Sequence, residues 1–360
     1  MRYWMPVTVF AEADCVKNHA EALAALGEKA LIVTGRSAAR RSGALADVEA
    51  ALRSQGRDFA LYDRVEENPS VETVMDARES GLRAGADFVI GIGGGSAMDA
   101  AKAAAIMMRR NVQGAEYLYA PAEKQDGLPV ATIPTTCGTG SEVTPNAVLT
   151  IPARKAKGSS SQRLFPQLAL IDVKYLHAAP PALIRGTALD AFAHLIESGL
   201  NTNATDYSRV FVEGGLRLWG RSCAVLRKDG LPQDDDLWNL MNAATLAGMA
   251  IAHTGTSLPH ALGYGVTCHL HIPHGRASAY FLPGYLREAG VALSEPLLRL
   301  AGFADTAEFT AFYHACCGEE TVPPELLRSL TEELLRYDAK LRACPYPATR
   351  EVIYRICGLE

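Results

Sequence analysis

The sequence predicts a two-domain protein with an α/β first half and an all-helical second half. At 360 residues, the chain is longer than one hydrophobic core usually supports. Its first half alternates short apolar runs with amphipathic stretches, a pattern typical of parallel strands joined by crossover helices. After Pro180-Pro181 the strand pattern fades and helical spacing takes over. We therefore expect domains at residues 1–179 and 180–360.

The elements of each half follow from hydrophobic periodicity and from turn residues. The predicted strands are Ala30–Thr34, Phe59–Tyr62, Phe88–Ile92, Val130–Pro134 and Leu168–Ile171. The predicted helices are Gly43–Arg53, Val71–Arg83 and Ser96–Met108 in the first half, and Asp206–Trp219, Leu237–His253 and Pro324–Leu341 in the second.

Composition and charge exclude several classes of partner. With 48% hydrophobic and 21% charged residues, the chain can bury a sizeable core. A net charge of -5 without a long Lys or Arg run argues against nucleic acid and anionic membranes as partners. No apolar stretch is long enough to span a bilayer, and Pro6 breaks the short N-terminal apolar run, unlike in a signal peptide. The scattered cysteines form no CxxC pair, which favours a reducing cytoplasm.

A glycine-rich turn lies in the segment from Asp87 to Lys102, which has the pattern of strand, turn and helix. Gly93–Gly95 would let backbone N–H groups approach a pyrophosphate at the positive end of the following helix. The spacing differs from the usual GxGxxG motif, because Ser96 stands at its sixth position. Ser96 and Asp99 also form a capping-box-like pair, so helix initiation alone would explain them. The turn predicts a dinucleotide cradle.

A second turn, TTCGTGSE from Thr135 to Glu142, follows another predicted strand. It combines hydroxyl groups with glycines, which suits hydrogen bonding to phosphate or ribose oxygens. An ordinary polar loop is the alternative. Because two such turns follow two predicted strands, each strengthens the prediction that the other binds a dinucleotide.

Asp190 and His194 are four residues apart in the run LDAFAHLIE, so on a helix both project from one face and could grip one cation. Downstream segments bounded by proline and glycine offer further histidines: His260, His269, His271 and His274. A carboxylate with imidazoles suits Fe²⁺ or Zn²⁺ better than Ca²⁺ or Mg²⁺. Spacing alone does not choose among these histidines.

Four motifs together resemble the iron-containing, group III alcohol dehydrogenase family: GGGSAMDAAKA, ATIPTTCGTGSEVT, GTALDAFAHLIES and HALGYGVTCHLHIPHGRA. They occur in the family's order and spacing between about residue 30 and about residue 280. The resemblance implies a Rossmann-like dinucleotide-binding domain followed by an all-helical metal-binding domain, in a dehydroquinate synthase-like architecture. It also implies an enzyme that transfers hydride between nicotinamide C4 and a metal-bound small alcohol or aldehyde.

The resemblance assigns site residues by their positions in these motifs. The implied metal ligands, for Fe²⁺ or Zn²⁺, are Asp190, His194, His260 and His274. The implied cofactor residues are Gly93, Gly94, Gly95 and Ser96 at the pyrophosphate, Asp99 near the nicotinamide, Thr135, Thr136 and Thr139 along the cofactor, and Lys157 at the adenosine ribose.

The run VTGRS after the first predicted strand lies where the family reads the adenosine 2′ position. NAD-preferring members often have Asp there, and NADP-using members often have Gly. Gly35, Arg36 and Ser37 include no acid that would repel a 2′-phosphate, and Arg40 and Arg41 lie nearby. We therefore expect NADP(H) to be favoured over NAD(H), although a plain surface role would also explain these arginines.

The sequence departs from the family pattern at Tyr264. Many members have a histidine four residues after the third metal ligand, and it is commonly assigned to proton relay or substrate contact. A phenol, with a pKa of about 10, is a weaker base than imidazole near neutral pH. Tyr264 could still relay a proton, or it could only pack. His253 is a second candidate for substrate contact.

Three alternatives share this fold. A glycerol- or polyol-dehydrogenase-like Zn²⁺ enzyme would need only two histidines, and the retention of four ligand positions argues against it. A dehydroquinate synthase-like lyase would need basic residues near the metal, and none lies between Asp190 and His194. A non-catalytic homologue would not keep the ligand set. The resemblance allows a homodimer, for which the residues themselves give no sign.

Overall fold

The computed structural model of the protein describes residues 3–110, 113–121, 126–151, 156–227 and 230–359. These residues form two compact units. The sheet unit comprises the described residues of 4–136 and 140–180, and the helical unit comprises Tyr3, Cys137–Thr139 and the described residues from Pro181 onward. The short segment 137–139 therefore groups with helices that come later in the chain.

The strands of the sheet unit are β1 (Thr8–Ala11), β2 (Lys29–Gly35), β3 (Asp58–Val65), β4 (Phe88–Gly93), β5 (Val130–Pro134), β6 (Val148–Ile151), β7 (Ala156–Ser159) and β8 (Leu168–Ile171). Six of them form a parallel sheet among the described residues, in the order β1-β8-β5-β4-β2-β3. Strands β6 and β7 pair as an antiparallel hairpin. All five predicted strands are confirmed, whereas β1 and the hairpin were not predicted.

Strand β4 lies in the middle of the parallel sheet because its residues are apolar on both faces. Every residue from Phe88 to Gly93 is buried, as expected of a strand covered by helices on each side. Alternate residues enter two separate cores: Leu31 and Val89 face one, and Ile32 and Ile90 face the other. This double burial confirms the α/β class of the first half.

The helices of the sheet unit are α1 (Cys15–Asn18), α2 (Ala20–Ala24), α3 (Ala38–Arg41), α4 (Ala44–Ser54), α5 (Val71–Ala84) and α6 (Gly95–Arg109). The three predicted helices correspond to α4, α5 and α6, with ends that differ by one residue at most. The Ser70 hydroxyl caps α5 by accepting the N–H of Thr73, and Gly85 ends the helix in the left-handed region.

The helices of the helical unit are α7 (Pro181–Leu200), α8 (Asp206–Arg221), α9 (Asp234–Thr254), α10 (Leu258–Leu270), α11 (His274–Tyr280), α12 (Leu282–Ala289), α13 (Val291–Leu300), α14 (Thr306–Cys317), α15 (Pro324–Leu334), α16 (Asp338–Arg342) and α17 (Arg350–Cys357). No strand occurs among the described residues after Ile171, which confirms the all-helical second half. No helix in this described part of the chain is long and apolar enough to cross a membrane.

The single helix predicted from Pro324 to Leu341 is wrong. Helix α15 ends at Leu334, a turn follows, and α16 begins at Asp338. No proline or glycine lies between Leu334 and Asp338, so no local stop signal marks this break. The turn lets Nζ of Lys340 donate to the carbonyl and hydroxyl oxygens of Thr256, at 3.0 and 2.7 Å. A tertiary contact thus outweighs local helix propensity.

Candidate metal and cofactor sites

Helix α7 presents a row of polar side chains on a buried face. Asp190, His194 and Glu197 are spaced by four and three residues, which places them on one side of the helix. Their exposed fractions are 2%, 6% and 0%. Because a buried carboxylate or imidazole is costly without partners, this face must meet polar groups from other elements.

Helices α10 and α11 bring two more histidines to α7. His260 lies in the first turn of α10, and α11 begins at His274. The close approach depends on Gly275, since a Cβ there would lie 2.7 Å from Cβ of Asp190 and closer still to the carbonyl oxygen of Gly186. A side chain at this position would push α11, and His274 with it, away from α7.

Three of the four predicted metal ligands converge. One ligand atom each from Asp190, His260 and His274 lies within 4.8 Å of the others. Oδ1 of Asp190 is 3.3 Å from Nε2 of His260 and 3.7 Å from Nε2 of His274. One carboxylate oxygen and two imidazole nitrogens in a mostly buried cluster fit a divalent transition metal such as Fe²⁺ or Zn²⁺.

The carboxylates and imidazoles of this cluster stabilise each other's charged forms. Burial alone would raise the pKa of Asp190, but the imidazoles of His194, His274 and His260 hold it below its usual range. Burial alone would lower the pKa of His260, but the carboxylates of Glu197 and Asp190 raise it to about 9. Asp190 is therefore ionised at neutral pH and supplies the negative charge that a cation requires.

His194 lies beside the three converging residues. Its ring stacks on that of His260, with centroids 4.2 Å apart and an interplanar angle of 15°. Burial, reinforced by the positive charge of His260, lowers the pKa of His194 to about 4. Its buried Nδ1 makes no well-aligned hydrogen bond among the described residues, although the backbone of Gly138 lies near enough to the ring to favour its protonated form. The fourth predicted ligand is thus a neutral imidazole stacked on the third.

Tyr264, one turn after His260, also packs onto the cluster. Its ring stacks parallel to that of His274, with centroids 5.0 Å apart and an interplanar angle of 6°. It lies edge-on to His260 at 6.5 Å. The predicted proton-relay residue is therefore next to two of the converging histidines.

His253 has a different environment. Its Nδ1 lies 2.8 Å from the carbonyl oxygen of Met249, and its ring stacks on Tyr3 at 4.9 Å. Its buried Nε2 has no partner among the described residues. These contacts are those of a packed side chain at the end of α9.

Glu197 is a buried site residue that the motifs did not single out. Its Oε1 accepts the backbone N–H of Ser257 at 2.8 Å, and its Oε2 contacts Nδ1 of His260. Burial would raise the pKa of Glu197, but His260 and the Ser257 N–H hold it below its usual range. The available signal was its spacing, seven residues after Asp190 on the same helical face.

The glycine turn joins β4 to α6 in the sheet unit. Gly93 has φ 149°, Gly94 is the N-cap, and the helix begins at Gly95. A Cβ at Gly94 would come within 3.2 Å of Cγ2 of Thr136, so the two predicted turns lie against each other. The helix end carries no side-chain cap, which leaves its first N–H groups available to an anion.

Ser96 and Asp99 do not form a capping pair, so that interpretation is wrong. The helix starts before Ser96, whose Oγ accepts the N–H of Asn68 at 3.2 Å. Asp99 accepts the Ser141 hydroxyl at 2.5 Å and the N–H of Val148 at 2.8 Å.

Lys102 completes this network around Asp99. It is fully buried, and its Nζ lies 3.1 Å from Oδ1 of Asp99. The same Nζ donates to the carbonyl and hydroxyl oxygens of Ser141 and Thr144, at distances from 2.7 to 3.4 Å. Asp99 and Lys102 thus hold the segment after the second turn.

The second turn is divided between the two units. Thr135 is buried, and its N–H donates to the carbonyl of Gly93 at 2.9 Å. Thr136 is half-buried beside Gly94. Thr139 groups with the helical unit.

The predicted adenosine end of the cofactor site lies at the end of β2. Gly35 is the last residue of that strand, and Arg36 and Ser37 are exposed. Arg40 forms an ion pair with Asp63 at 3.0 Å. Nζ of Lys157, the predicted ribose contact, donates to Oδ1 of Asn68.

Comparison with known proteins covers both units. A family model described as iron-containing alcohol dehydrogenase matches residues 6–173, and one for the C-terminal part of the Fe-containing alcohol dehydrogenase family matches residues 185–307. The chain is similar to long-chain-alcohol dehydrogenase 1 of Geobacillus thermodenitrificans, with 29% identity over 89% of this chain and 87% of the relative. It is 32% identical to lactaldehyde reductase of Escherichia coli, over 72% of this chain and 68% of that protein.

A solved iron-containing alcohol dehydrogenase from Thermotoga maritima has the same fold. It superposes with a TM-score of 0.90 and 32% identity, over 99% of this chain and 98% of the other. Fold, site chemistry and relatives together define a metal-dependent alcohol dehydrogenase or aldehyde reductase. The chain belongs to the iron-containing alcohol dehydrogenase family.

Proposed function

We propose that this protein transfers hydride between C4 of a nicotinamide cofactor, favouring NADP(H), and a small alcohol or aldehyde. The observation that carries the proposal is the convergence of Asp190, His260 and His274 within 4.8 Å. His194, stacked on His260, would complete the ligand set. Relatives named long-chain-alcohol dehydrogenase and lactaldehyde reductase support the substrate class.

The residues of the cluster would hold the metal and position the substrate oxygen. When bound, the metal supplies a Lewis acid that lowers the pKa of an alcohol and stabilises negative charge on its oxygen. Asp190 contributes the compensating negative charge. Because Asp190 is buried, bulk water screens its negative charge little, so its attraction for a cation is strong.

Tyr264 is the residue that we propose for proton transfer. It stacks on His274 and lies beside His260. A phenol is protonated at neutral pH, so its hydroxyl can donate a proton to an oxygen that gains negative charge during reduction. Use of NADP(H) would favour aldehyde reduction as the direction of the reaction in cells.

The glycine turn and its neighbours would hold the cofactor. Uncapped N–H groups at the start of α6 suit the pyrophosphate, with Gly93–Gly95 and Ser96 around it. Thr135 and Thr136 lie on the adjoining turn. Asp99 would act through the segment it holds, because donors from Ser141 and Val148 already engage its carboxylate.

The absence of an acid at Gly35-Arg36-Ser37 supports the preference for NADP(H), and it has a direct test. In Gly35→Asp, the new carboxylate should repel a 2′-phosphate and accept the ribose hydroxyls of NAD. We expect the ratio of kcat/KM for NADPH over NADH to fall at least ~10-fold. Ala38→Asp, at the first residue of α3, is the control. An unchanged ratio in Gly35→Asp would place the 2′ position elsewhere.

The main test is metal content together with NADPH and NADH oxidation against a panel of aldehydes. Wild type purified without oxygen should carry about one Fe²⁺ or Zn²⁺ per chain and reduce at least one aldehyde. His260→Ala should lose both metal and turnover, because a converging ligand is gone. Tyr264→Phe should keep the metal but lower kcat, since it lacks the hydroxyl proton. Wild type that binds NADP(H) but no metal, and reduces nothing, would rule out the proposal.

The compartment and the oligomeric state are further parts of the proposal. The scattered cysteines favour a reducing cytoplasm as the compartment in which the protein works. Sedimentation of the purified protein should decide between a monomer and the homodimer that the resemblance allows.

A further inference from the structure

Glu197 is a fully buried carboxylate one turn after His194 on α7. An ionised group in this position is tolerated only if its lone pairs accept several hydrogen bonds. The start of α10 supplies them. Oε1 accepts the N–H of Ser257 at 2.8 Å, the Ser257 hydroxyl at 3.2 Å and the N–H of His260 at 3.4 Å. Glu197 thus fixes the end of the helix that carries His260.

The other carboxylate oxygen acts on the His260 ring. Oε2 of Glu197 contacts Nδ1 of His260, and Nε2 on the opposite side of the ring lies 3.3 Å from Oδ1 of Asp190. The imidazole is clamped between two carboxylates, one facing each nitrogen. Since an ionised carboxylate only accepts hydrogen bonds, Glu197 keeps a proton on Nδ1, whereas a cation bound at Asp190 would take the place of the proton on Nε2.

We propose that Glu197 is a positioning residue that sets the tautomer and orientation of His260, so that Nε2 is the lone-pair donor toward the metal. The inference rests on the proposed role of His260 as a metal ligand. A metal-bound histidine commonly donates its other N–H to a carboxylate, and loss of such a partner costs ~10–100-fold in metal affinity. His194 lacks this support, because its Nδ1 has no partner among the described residues.

The surroundings favour the charged form of Glu197. The Tyr285 hydroxyl lies 2.9 Å from Oγ of Ser257, which extends the hydrogen-bond network. Lys340 donates to Thr256, the residue before Ser257, and its positive charge also favours the ionised carboxylate.

Glu197→Gln makes a sharp test because an amide cannot satisfy both sides of the site. If its oxygen accepts the backbone N–H groups of Ser257 and His260, its NH₂ group faces Nδ1 of His260. Nδ1 must then accept, the proton moves to Nε2, and the metal donor is blocked.

The experiment measures Zn²⁺ affinity by chelator competition in wild type, Glu197→Gln and His260→Ala. Asp172→Asn is the matched control, because Asp172 is another buried carboxylate that accepts backbone N–H groups, those of Cys15 and Lys174, in the sheet unit. We expect Glu197→Gln to bind Zn²⁺ ~10–100-fold more weakly and Asp172→Asn to bind it like wild type. In the Zn²⁺-loaded, ¹⁵N-histidine-labelled protein, the Nδ1–H signal of His260 should be present in wild type and absent in Glu197→Gln.

The outcomes separate the two proposals. Wild type that binds no Zn²⁺, or His260→Ala that binds it as well as wild type, would refute the metal site itself. If His260→Ala loses Zn²⁺ but folded Glu197→Gln stays within about threefold of wild type and keeps the Nδ1–H signal, the role of Glu197 is wrong. If Glu197→Gln does not fold, Glu197→Asp replaces it. Its carboxylate, one methylene shorter, should also weaken Zn²⁺ binding, and unchanged affinity would overturn the proposal.

Discussion

The helical unit and the sheet unit each bury a cluster of charged groups. Only in the sheet unit do neighbouring protein groups fill the hydrogen-bonding capacity of the cluster. In the sheet unit, Lys102 meets Asp99, Ser141 and Thr144, so its ammonium group is surrounded by oxygen atoms of the protein. In the helical unit, the carboxylate of Asp190 faces imidazole nitrogens.

The difference between the two clusters in hydrogen-bond partners distinguishes a structural network from a candidate binding site. A buried charge whose hydrogen-bonding capacity is filled within the protein stabilises the fold. Atoms that could bind a metal converge from three helices, and beside them lies an imidazole nitrogen that has no hydrogen-bond partner in the described part of the chain. This arrangement is suited to binding an ion. The two clusters should therefore respond differently to mutation and to metal.

The largest expected effect is on the closed network. Lys102→Met leaves the Asp99 carboxylate buried without its counter-charge, and we expect the free energy of unfolding to fall by ~3–5 kcal/mol. Urea denaturation of the metal-free protein measures this. The control is Lys29→Met, which removes a mostly exposed ion pair with Asp58 and should cost at most ~1 kcal/mol. Equal losses in the two variants would mean that the buried network has no special structural role.

The next effect concerns the open cluster. His274→Asn removes a proposed ligand whose side chain is 21% exposed, so the metal-free protein should stay within ~1 kcal/mol of wild type in unfolding free energy. Its Zn²⁺ affinity should fall by more than ~100-fold, which exceeds the loss expected when only a hydrogen-bond partner of a metal ligand is removed.

Thermal unfolding checks the same variant by another route. Zn²⁺ at 100 times its dissociation constant should stabilise wild type by ~2.7 kcal/mol through mass action. The same Zn²⁺ concentration should not raise the Tm of His274→Asn. A variant that is destabilised without metal, yet still stabilised by Zn²⁺, would assign His274 to the fold.

The smallest effect is expected at His194. Its ring stacks on His260 beside the three converging residues, and its Nδ1 has no partner among the described residues to fix its orientation. We expect His194→Asn to weaken Zn²⁺ binding by ~10-fold, less than His274→Asn does. Equal losses at the two positions would show that His194 and His274 contribute alike, which would contradict this prediction.

Much of the fold could be predicted from local sequence patterns. Central strands such as β4 are apolar on both faces, and glycine-rich or capping residues mark the ends of α5 and α6. Strand β1 escaped prediction because its four residues form a sheet edge and are only partly buried. The break after Leu334 depends on the contact between Lys340 and Thr256, which no local pattern encodes.

The candidate site was less accessible to sequence analysis. The family motifs named Asp190, His260 and His274, which do converge. They did not name Glu197, because its role depends on a helix whose N-cap residue, Ser257, lies 60 residues later in the chain. Nor did they show that Asp99 is occupied by Ser141 and Val148. Motifs identify which residues are involved, whereas packing decides which atoms remain available.

The segment Cys137–Thr139 sets a limit on how the chain can be divided. Sγ of Cys137 lies 3.3 Å from the Thr187 hydroxyl and 3.7 Å from the carbonyl oxygen of Ile184, both in α7. A recombinant fragment that begins at Pro181 would lack these residues and the contacts that they make with Ile184 and Thr187. We therefore expect that a fragment containing the helices of the candidate metal site will fold better when residues 137–139 are supplied together with it.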